Sequence, residues 1–257
     1  MTTTHRRTLR WQTATVLSVR DETSNARTLR LALPAAAPHL AGQHYVLRLT
    51  APDGYTATRA YSVASAPDDG AAAPHGEQRR DEERRSEERR SEIELTVERL
   101  ADGEVSEFLH DVVVAGDELE VRGPIGGEFF AWTGDTPALL VGGGSGVVPL
   151  MAMLRHARAI GRPDLVRLVV SARSPADLYY ASELPGPETT IVYTRSAPPD
   201  TRPVGRLAAA DLAPLVRGGE VVYVCGSPAF CDGATALLTE VGVPVEAIRV
   251  ERFGPSG

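Results

Sequence analysis

The sequence predicts two domains of different class, an antiparallel β-barrel followed by an α/β domain with a doubly wound parallel sheet. The first observation is length, because 257 residues suit two domains of ordinary size. The second is a first half of short alternating segments with one small helix, as in small barrels. The third is a second half in which β-branched segments alternate with helical ones. We therefore expect domains at 8–132 and 133–257.

Six strands and one helix are expected in the first domain, separated by turns rich in proline and glycine. The strands are predicted at 13–19, 26–33, 45–50, 59–65, 92–99 and 118–122, and the helix at 105–111. The segment 68–91 interrupts them with repeats of glutamate, arginine and serine that offer no apolar side chains to bury. We expect a disordered loop there, although a solvated helix or a docking arm for a partner would also fit.

The second domain should contain strands and helices in alternation. The strands are predicted at 138–141, 167–171, 190–194 and 221–225, and the main helices at 149–158 and 228–241. In an open parallel sheet, ligands bind beyond the carboxyl ends of the strands. The turns that follow these strands are therefore the places to look for a site.

Composition excludes several classes of function. A net charge of -7 disfavours a nucleic-acid partner, which would need a basic surface. The two cysteines, Cys225 and Cys231, cannot by themselves supply a disulfide scaffold, a zinc site or a ferredoxin-type cluster. Residues 1–10 hold no apolar run for a signal peptide, and no stretch approaches the roughly 20 apolar residues of a membrane helix. A cytoplasmic location is the expectation.

Arg59, Tyr61 and Ser62 form the sharpest feature of the first domain. Arg59 could pair with a diphosphate, Tyr61 could lie against a ring and Ser62 could hydrogen-bond a ring nitrogen. An ordinary, partly exposed strand would also fit. Val105 and Ser106 then open a helix whose N-terminus could bind an anion, with Ser106 as its cap, or could be a routine capped helix.

The segment 142–149, Gly-Gly-Gly-Ser-Gly-Val-Val-Pro, joins a predicted strand to a predicted helix. Glycines let the backbone approach a pyrophosphate closely, and the start of the helix supplies N–H groups. The candidate contacts are Gly143, Gly144, Ser145, Gly146 and Pro149. This loop is neither the G-x-G-x-x-G fingerprint nor a P-loop, so its placement carries the prediction.

Cys225, Gly226, Ser227 and Pro228 join the predicted strand at 221–225 to a helix. A cysteine at the carboxyl end of such a strand faces the crevice where ligands bind, although burial as a structural thiol is the commoner fate. Cys231, inside the following helix, is expected to be structural.

These motifs, with Gly123-Pro124-x-Gly126 between them, occur in an order that resembles the ferredoxin–NADP reductase superfamily from about residue 10 to residue 253. The resemblance implies a six-stranded antiparallel barrel that binds FAD non-covalently, followed by a domain that binds a nicotinamide nucleotide. It implies that Arg59 holds the flavin diphosphate and that Tyr61 and Ser62 contact the ribityl chain and isoalloxazine. Ser106 and the neighbouring backbone would make a second phosphate contact.

In the second domain, the resemblance implies that the loop 143–149 cradles the nicotinamide nucleotide. Cys225 would lie near the nicotinamide C4 and the flavin N5, which makes Ser62 and Cys225 the candidate catalytic residues. Phe253, in the ending Glu-Arg-Phe, could approach the flavin as in bacterial relatives. Plant-type reductases instead end on an aromatic residue, and here four residues follow Phe253.

The preferred coenzyme is predicted from two arginines that follow successive strands. Arg173 and then Arg195 could grip a 2′-phosphate, which favours NADPH over NADH, although both would also suit a solvated surface.

The function predicted from these residues is hydride transfer from NAD(P)H to bound FAD, followed by electron transfer to a separate acceptor. The acceptor would be a ferredoxin or an oxygenase component, since the chain lacks cysteines for a fused cluster. Two alternatives stay open, a flavin reductase that releases free reduced flavin and a non-catalytic subunit that senses flavin or nucleotide.

Overall fold

The computed structural model describes residues 10–35, 38–67, 92–127, 129–199 and 201–254. The predicted loop at 68–91 lies outside the described residues. Among the residues described, no helix combines the length and the apolar character that a membrane crossing requires.

The first domain is an antiparallel barrel, as predicted. Its strands are β1 (Gln12–Thr23), β2 (Ala26–Ala32), β3 (His44–Thr50), β4 (Thr56–Ser62), β5 (Glu92–Glu98) and β6 (Glu118–Ile125). They form one sheet in the order β4-β3-β6-β1-β2-β5. An antiparallel bridge between Val63, just after β4, and Leu95 in β5 joins the two edges of that sheet. This bridge brings the two edges of the sheet together and closes the barrel at that point.

The interior of the barrel is filled by alternate side chains of its strands. Leu29, Leu31, Leu47 and Leu95 are fully buried there. Helix α1 (Glu104–Asp111) adds Val105 and Leu109 to the same core, because residues four apart lie on one face of a helix.

The second domain is a parallel sheet covered on both faces, also as predicted. Its strands are β7 (Ala138–Gly143), β8 (Val166–Ala172), β9 (Thr189–Tyr193), β10 (Val221–Gly226) and β11 (Ile248–Arg252). The order is β11-β10-β7-β8-β9, and every pairing is parallel. Strands β8 and β9 are therefore added on one side of β7, and β10 and β11 on the other side. Ligands bind in the crevice at such a switch point, which here lies between β7 and β10.

The two faces of this sheet pack against different partners. Helix α2 (Val147–Ala159) packs on one face, and Ala26, Ala41 and Ala64 of the first domain join the same core cluster. Helices α3 (Ala209–Leu212) and α4 (Pro228–Glu240) pack on the other face. The first domain and α2 thus share one continuous apolar core.

Several elements differ from the sequence prediction. Strand β4 ends at Ser62 and begins at Thr56, so the predicted strand at 59–65 was placed three residues too late. The residues after Ser62 leave β4 to bridge β5, which an alternation pattern cannot distinguish from continued pairing with β3. Strand β11 and helix α3 were not predicted, and α2 begins two residues earlier than predicted.

Candidate functional site

One cavity of about 850 Å³ is lined by residues of both domains. Its size falls within the range of small-molecule and cofactor sites. It lies where β7 and β10 end, at the switch point of the parallel sheet, and faces β4 of the barrel. The predicted site residues that line it are Arg59, Tyr61, Ser62, Ser106, Gly143, Gly144, Ser145, Arg173, Ser227 and Phe253.

Strand β4 presents the predicted flavin contacts to this cavity. Arg59 is exposed, and its Nη1 donates a hydrogen bond to the carbonyl oxygen of Thr58 at 2.8 Å. Tyr61 packs partly against the barrel core, and this burial raises the pKa of its hydroxyl despite the nearby charge of Arg59. Ser62 is 5% exposed. Among the described residues, the guanidinium of Arg59 has no carboxylate partner, so the strand offers a cation, a packed aromatic ring and a hydroxyl close together.

His44 lines the same cavity and was not predicted as a site residue. It is paired with Ser62 across β3 and β4, and side chains of directly paired residues share a face. Burial lowers the pKa of His44, so its imidazole is neutral at neutral pH. In the sequence His44 follows Gly42-Gln43, and no motif there marks it as a site residue.

The turn before α1 lies at the same side of the cavity and corrects one prediction. Gly103 is the N-cap of α1, and Ser106 is the third helical residue, so Ser106 as cap was wrong. Its hydroxyl donates to the carbonyl oxygen of Gly103 at 3.0 Å and accepts from the N–H of Leu100 at 3.2 Å. Ser106 therefore fixes the turn that exposes the first N–H groups of the helix. The side chain of Val105 is buried in the barrel core, and Val105 does not line the cavity.

The glycine-rich loop follows β7 as predicted. Gly144 has φ of 56°, a left-handed conformation that glycine adopts at low cost. A Cβ on Gly143 would lie 2.7 Å from the ring of Phe230, and a Cβ on Gly146 would lie 2.2 Å from the carbonyl oxygen of Cys225. Gly146 and the buried Pro149 therefore lie behind the loop that lines the cavity.

Of the predicted contacts at the end of β10, Cys225 is buried in the core and Ser227 lines the cavity. Cys225 is fully buried in the core shared with α2, and its burial raises the pKa of its thiol well above the ordinary value. Ser227 caps α4 by accepting a hydrogen bond from the N–H of Phe230 at 3.3 Å, with Pro228 as the first helical residue. Ser227 lines the cavity, whereas Cys225, Gly226 and Pro228 do not. A catalytic role for Cys225 stays a prediction.

Glu251 is the most unusual titratable group of the cavity, and the sequence prediction missed it. It lies on β11 beside Cys225 of β10. Its Oε2 is buried without a hydrogen-bond partner among the described residues, and burial raises the pKa of this carboxyl to about 7. Such a group can hold or release a proton near neutral pH. The unpredicted strand β11 explains the omission, since Glu251 was read only as part of the ending that carries Phe253.

Arg173 and Arg195 follow neighbouring strands at the same edge of the sheet. The N–H of Arg195 donates to the carbonyl oxygen of Arg173 at 2.9 Å, and both side chains are exposed. Arg173 lines the cavity, but Arg195 does not. Phe253 is held at the cavity by a hydrogen bond of 2.8 Å from its N–H to the carbonyl oxygen of Gly226.

Comparison with known sequences points to redox proteins. Residues 140–236 match the model of the oxidoreductase NAD-binding domain. The ferredoxin–NAD(P)(+) reductase component of the naphthalene 1,2-dioxygenase/salicylate 5-hydroxylase systems of Ralstonia sp. is 27% identical over 253 residues, covering 95% of this chain and 69% of that protein. The reductase component of propane 2-monooxygenase from Rhodococcus jostii RHA1 is 30% identical over 174 residues. That match covers 63% of this chain and 47% of that protein.

Solved structures share the fold over nearly the whole chain. The flavohem-like FAD/NAD-binding domain of nitric oxide dioxygenase from Vibrio cholerae has a TM-score of 0.76 at 23% identity, covering 95% of this chain and 99% of that one. An Amycolatopsis cytochrome P450 reductase has a TM-score of 0.72 at 28% identity, covering 96% and 71%. A ferredoxin NADP+ reductase from Neisseria gonorrhoeae with bound FAD and NADP has a TM-score of 0.71 at 19% identity, covering 94% and 98%.

Proposed function

We propose that this chain is a reductase of the ferredoxin–NADP reductase type, which oxidises NAD(P)H through a bound FAD and delivers the electrons to a separate protein. The observation that carries the proposal is the cavity that β4 of the barrel and the loop after β7 line together. A flavin on the barrel and a nicotinamide on the parallel sheet would meet there. When bound, the flavin supplies the acceptor for hydride and the means to release electrons.

The first-domain wall of the cavity fits a flavin nucleotide. Arg59 has no ion pair with a described carboxylate, so its guanidinium can bind the diphosphate bidentately. The uncapped start of α1 adds backbone N–H groups for the second phosphate. A Cβ on Gly103 would lie 2.4 Å from Ser106 Oγ and 3.0 Å from the carbonyl oxygen of Leu100, so a side chain there would require the turn to shift. Tyr61, Ser62 and the N-terminal turn of α1 would therefore orient the flavin.

The second-domain wall fits a nicotinamide nucleotide. Gly143, Gly144 and Ser145 leave backbone exposed at the start of α2, where a pyrophosphate is favoured by free N–H groups and the helix dipole. Arg173 lies on the rim of the same wall and can bind a 2′-phosphate. We therefore propose NADPH as the preferred donor, with NADH as the alternative.

Side chains of this protein that line the cavity can hold a proton or hydrogen-bond the flavin. Glu251 can hold a proton on Oε2 at neutral pH, since burial disfavours its charged form. His44 and Ser62 lie side by side on the barrel wall, where each can hydrogen-bond a polar edge of the flavin. Phe253 and Phe230 line the cavity with apolar surface that excludes water from the reacting atoms.

The acceptor is proposed from the relatives. Proteins similar to this chain are reductase components of naphthalene dioxygenase and propane monooxygenase systems. We propose a ferredoxin or an oxygenase component as the physiological acceptor. A cytoplasmic location is part of the proposal, and the free thiols of Cys225 and Cys231 support a reducing compartment.

Gel filtration followed by turnover tests this proposal. The purified protein should keep yellow FAD through the column and reduce a one-electron acceptor such as ferricyanide with NADPH or NADH. Loss of flavin on the column, with activity restored only by excess free flavin, would instead indicate a reductase that releases reduced flavin. Retained flavin without turnover of any acceptor would indicate a sensing subunit.

A further inference from the structure

Arg155, on helix α2, hydrogen-bonds both domains at once. Its Nη1 donates to the carbonyl oxygen of Ala64 at 2.8 Å and to Glu94 Oε2 at 2.9 Å, and both acceptors belong to the barrel. Its Nε and Nη2 donate to the two carboxylate oxygens of Glu183 at 2.9 and 2.6 Å, within the second domain. The side chain is 15% exposed. Arg155 thus joins three acceptor groups across a mostly buried boundary.

Tyr180, beside Arg155, also hydrogen-bonds the first domain from the second domain. Its hydroxyl lies 2.5 Å from Thr96 Oγ1 in the barrel, and its N–H donates to Glu22 Oε2 at 3.1 Å. The guanidinium carbon of Arg155 lies 5.1 Å from the centre of the Tyr180 ring, within the range of a cation–π contact. Tyr180 has φ of 55°, which is rare for a bulky residue. Its contacts hold the loop after β8 in that conformation.

These contacts lead directly to the walls of the cavity. Ala64 is two residues after Ser62, and Tyr180 follows Tyr179, which lines the cavity. Arg155 lies on the helix that begins at the glycine-rich loop. One guanidinium therefore connects the strand of the flavin wall to the helix and the loop of the nucleotide wall.

Charge keeps this connection intact over a wide pH range. Burial opposes the charged form of Arg155, but the hydrogen bonds that Arg155 donates to Glu183 and the negative charges of Glu94 and Glu183 outweigh it, so the pKa of Arg155 is raised. Burial likewise opposes ionisation of Glu183, and Arg155 reverses that effect, so the pKa of Glu183 is lowered. Both groups are therefore charged at neutral pH.

We propose that Arg155 is a positioning residue that fixes the two domains relative to each other and so sets the approach of the nicotinamide to the flavin. This inference rests on the proposed hydride transfer. Arg155 lies outside the residues that line the cavity, so it acts through the elements it joins rather than on a reacting atom. The rate of a reaction between two bound groups falls steeply when the groups are misplaced. A displacement of about 1 Å lowers that rate on the order of a hundredfold.

Arginine has a geometry for this task that lysine lacks. The guanidinium fork serves two carboxylates and a carbonyl in fixed directions, whereas an ammonium group is a point charge on a flexible chain. Arg20 lies 3.9 Å from both Glu94 and Glu183 and carries a compensating charge when Arg155 is removed. We therefore expect Arg155 variants to fold while their domains are held less firmly.

The helix also provides a matched control. Arg158 lies one turn further along α2, and its Nε donates to Glu188 Oε1 at 2.6 Å and its Nη1 to the carbonyl oxygen of Glu183 at 2.6 Å. Both acceptors belong to the second domain. Arg158→Ala removes a partly buried arginine network from the same helix without touching the barrel.

The test is anaerobic stopped-flow reduction of Arg155→Ala, Arg155→Lys and Arg158→Ala over a range of NAD(P)H concentrations. We expect the limiting rate of flavin bleaching to fall about tenfold to a hundredfold in Arg155→Ala and less in Arg155→Lys, while the Kd for NAD(P)H changes by less than about threefold. The long-wavelength charge-transfer absorbance of stacked nicotinamide and flavin should weaken in parallel. Arg158→Ala should keep the wild-type rate and absorbance.

Several outcomes separate this inference from its premise. Wild-type protein that holds flavin but is not bleached would contradict the proposed function itself. Wild-type bleaching with an unchanged rate in Arg155→Ala, or an equal fall in Arg158→Ala, would overturn the positioning function alone. If Arg155→Ala does not fold, Glu94→Gln removes one interdomain acceptor charge and should slow bleaching in the same way, and an unchanged rate would overturn the inference.

Discussion

Arg59 is the residue on which flavin binding should depend most. Its guanidinium reaches the cavity from an exposed strand, and a charged hydrogen bond to a phosphate is worth about 1.5–3 kcal/mol. Arg59→Ala should therefore weaken FAD binding by roughly tenfold to a hundredfold, measured by fluorescence titration of apoprotein. Arg30→Ala on β2 removes a barrel arginine that pairs with Glu92 at the surface, and should leave the Kd unchanged. Full flavin occupancy in Arg59→Ala would show that the strand was misassigned.

Glu251 should impose its own pH dependence on stability. Its folded-state pKa of about 7 lies above the ordinary value of 4.5, so the fold favours the protonated form. The resulting stabilisation is complete below about pH 4.5 and is lost as the pH rises through about 7. Urea unfolding at pH 5 and pH 8 should show a smaller decline for Glu251→Gln than for the wild type. Equal declines in the two proteins would contradict a buried, unpaired carboxyl.

Arg173 should decide the preference between the two coenzymes. It lines the cavity at the end of β8 and has the geometry to pair with a 2′-phosphate. Arg173→Ala should lower the ratio of kcat/KM for NADPH to that for NADH by about tenfold or more. Arg206→Ala, an exposed arginine of the same domain outside the cavity lining, should leave the ratio unaltered. A wild type that already prefers NADH would refute the coenzyme assignment.

At the scale of elements, the glycine-rich loop is constrained by space more than by conformation. Gly146 has φ of -62°, which any residue can adopt, yet a Cβ there would lie 2.2 Å from the carbonyl oxygen of Cys225. The start of α2 therefore approaches β10 as closely as backbone allows. The close approach of Gly146 to Cys225 lies at the switch point between β7 and β10, where the cavity opens.

Gly146→Ala should accordingly destabilise the protein by about 1–3 kcal/mol, because overpacking forces the loop away from β10. Gly233→Ala on α4 provides the control, since nothing lies within 4 Å of the added Cβ. That variant should gain about 0.5–1 kcal/mol from the helix preference of alanine. Denaturant unfolding measures both changes, and a neutral Gly146→Ala would contradict the close approach.

The elements that could be predicted from the sequence are those with their own periodicity or turn chemistry. Alternation identified the barrel strands, and β-branched runs identified β7 to β10. The errors arose where a tertiary contact decides the outcome. Strand β4 is misplaced because residues after Ser62 bridge β5, and Ser106 is no cap because its hydroxyl bonds the turn behind it. The unpredicted β11 hid Glu251 for the same reason.

At the scale of the whole molecule, the site exists only because two domains meet. Arg155 and Ala64, joined by a hydrogen bond, are 91 residues apart in sequence. No local sequence pattern predicts such a contact, because its two partners belong to different elements of different domains. The change of periodicity between the two halves of the sequence predicted the order of the domains. The identity of the groups that hold them together required the structure.

The most direct test of the proposed hydride transfer is to mix the anaerobic, flavin-loaded protein with NADPH or NADH and follow the visible absorbance. We expect a flavin spectrum that bleaches within one turnover, faster with NADPH than with NADH. Bleaching that is faster with NADH would retain the reaction and refute the function of Arg173. A protein that cannot take up FAD, or whose bound flavin neither nucleotide reduces, would contradict hydride transfer from NAD(P)H to flavin in this cavity.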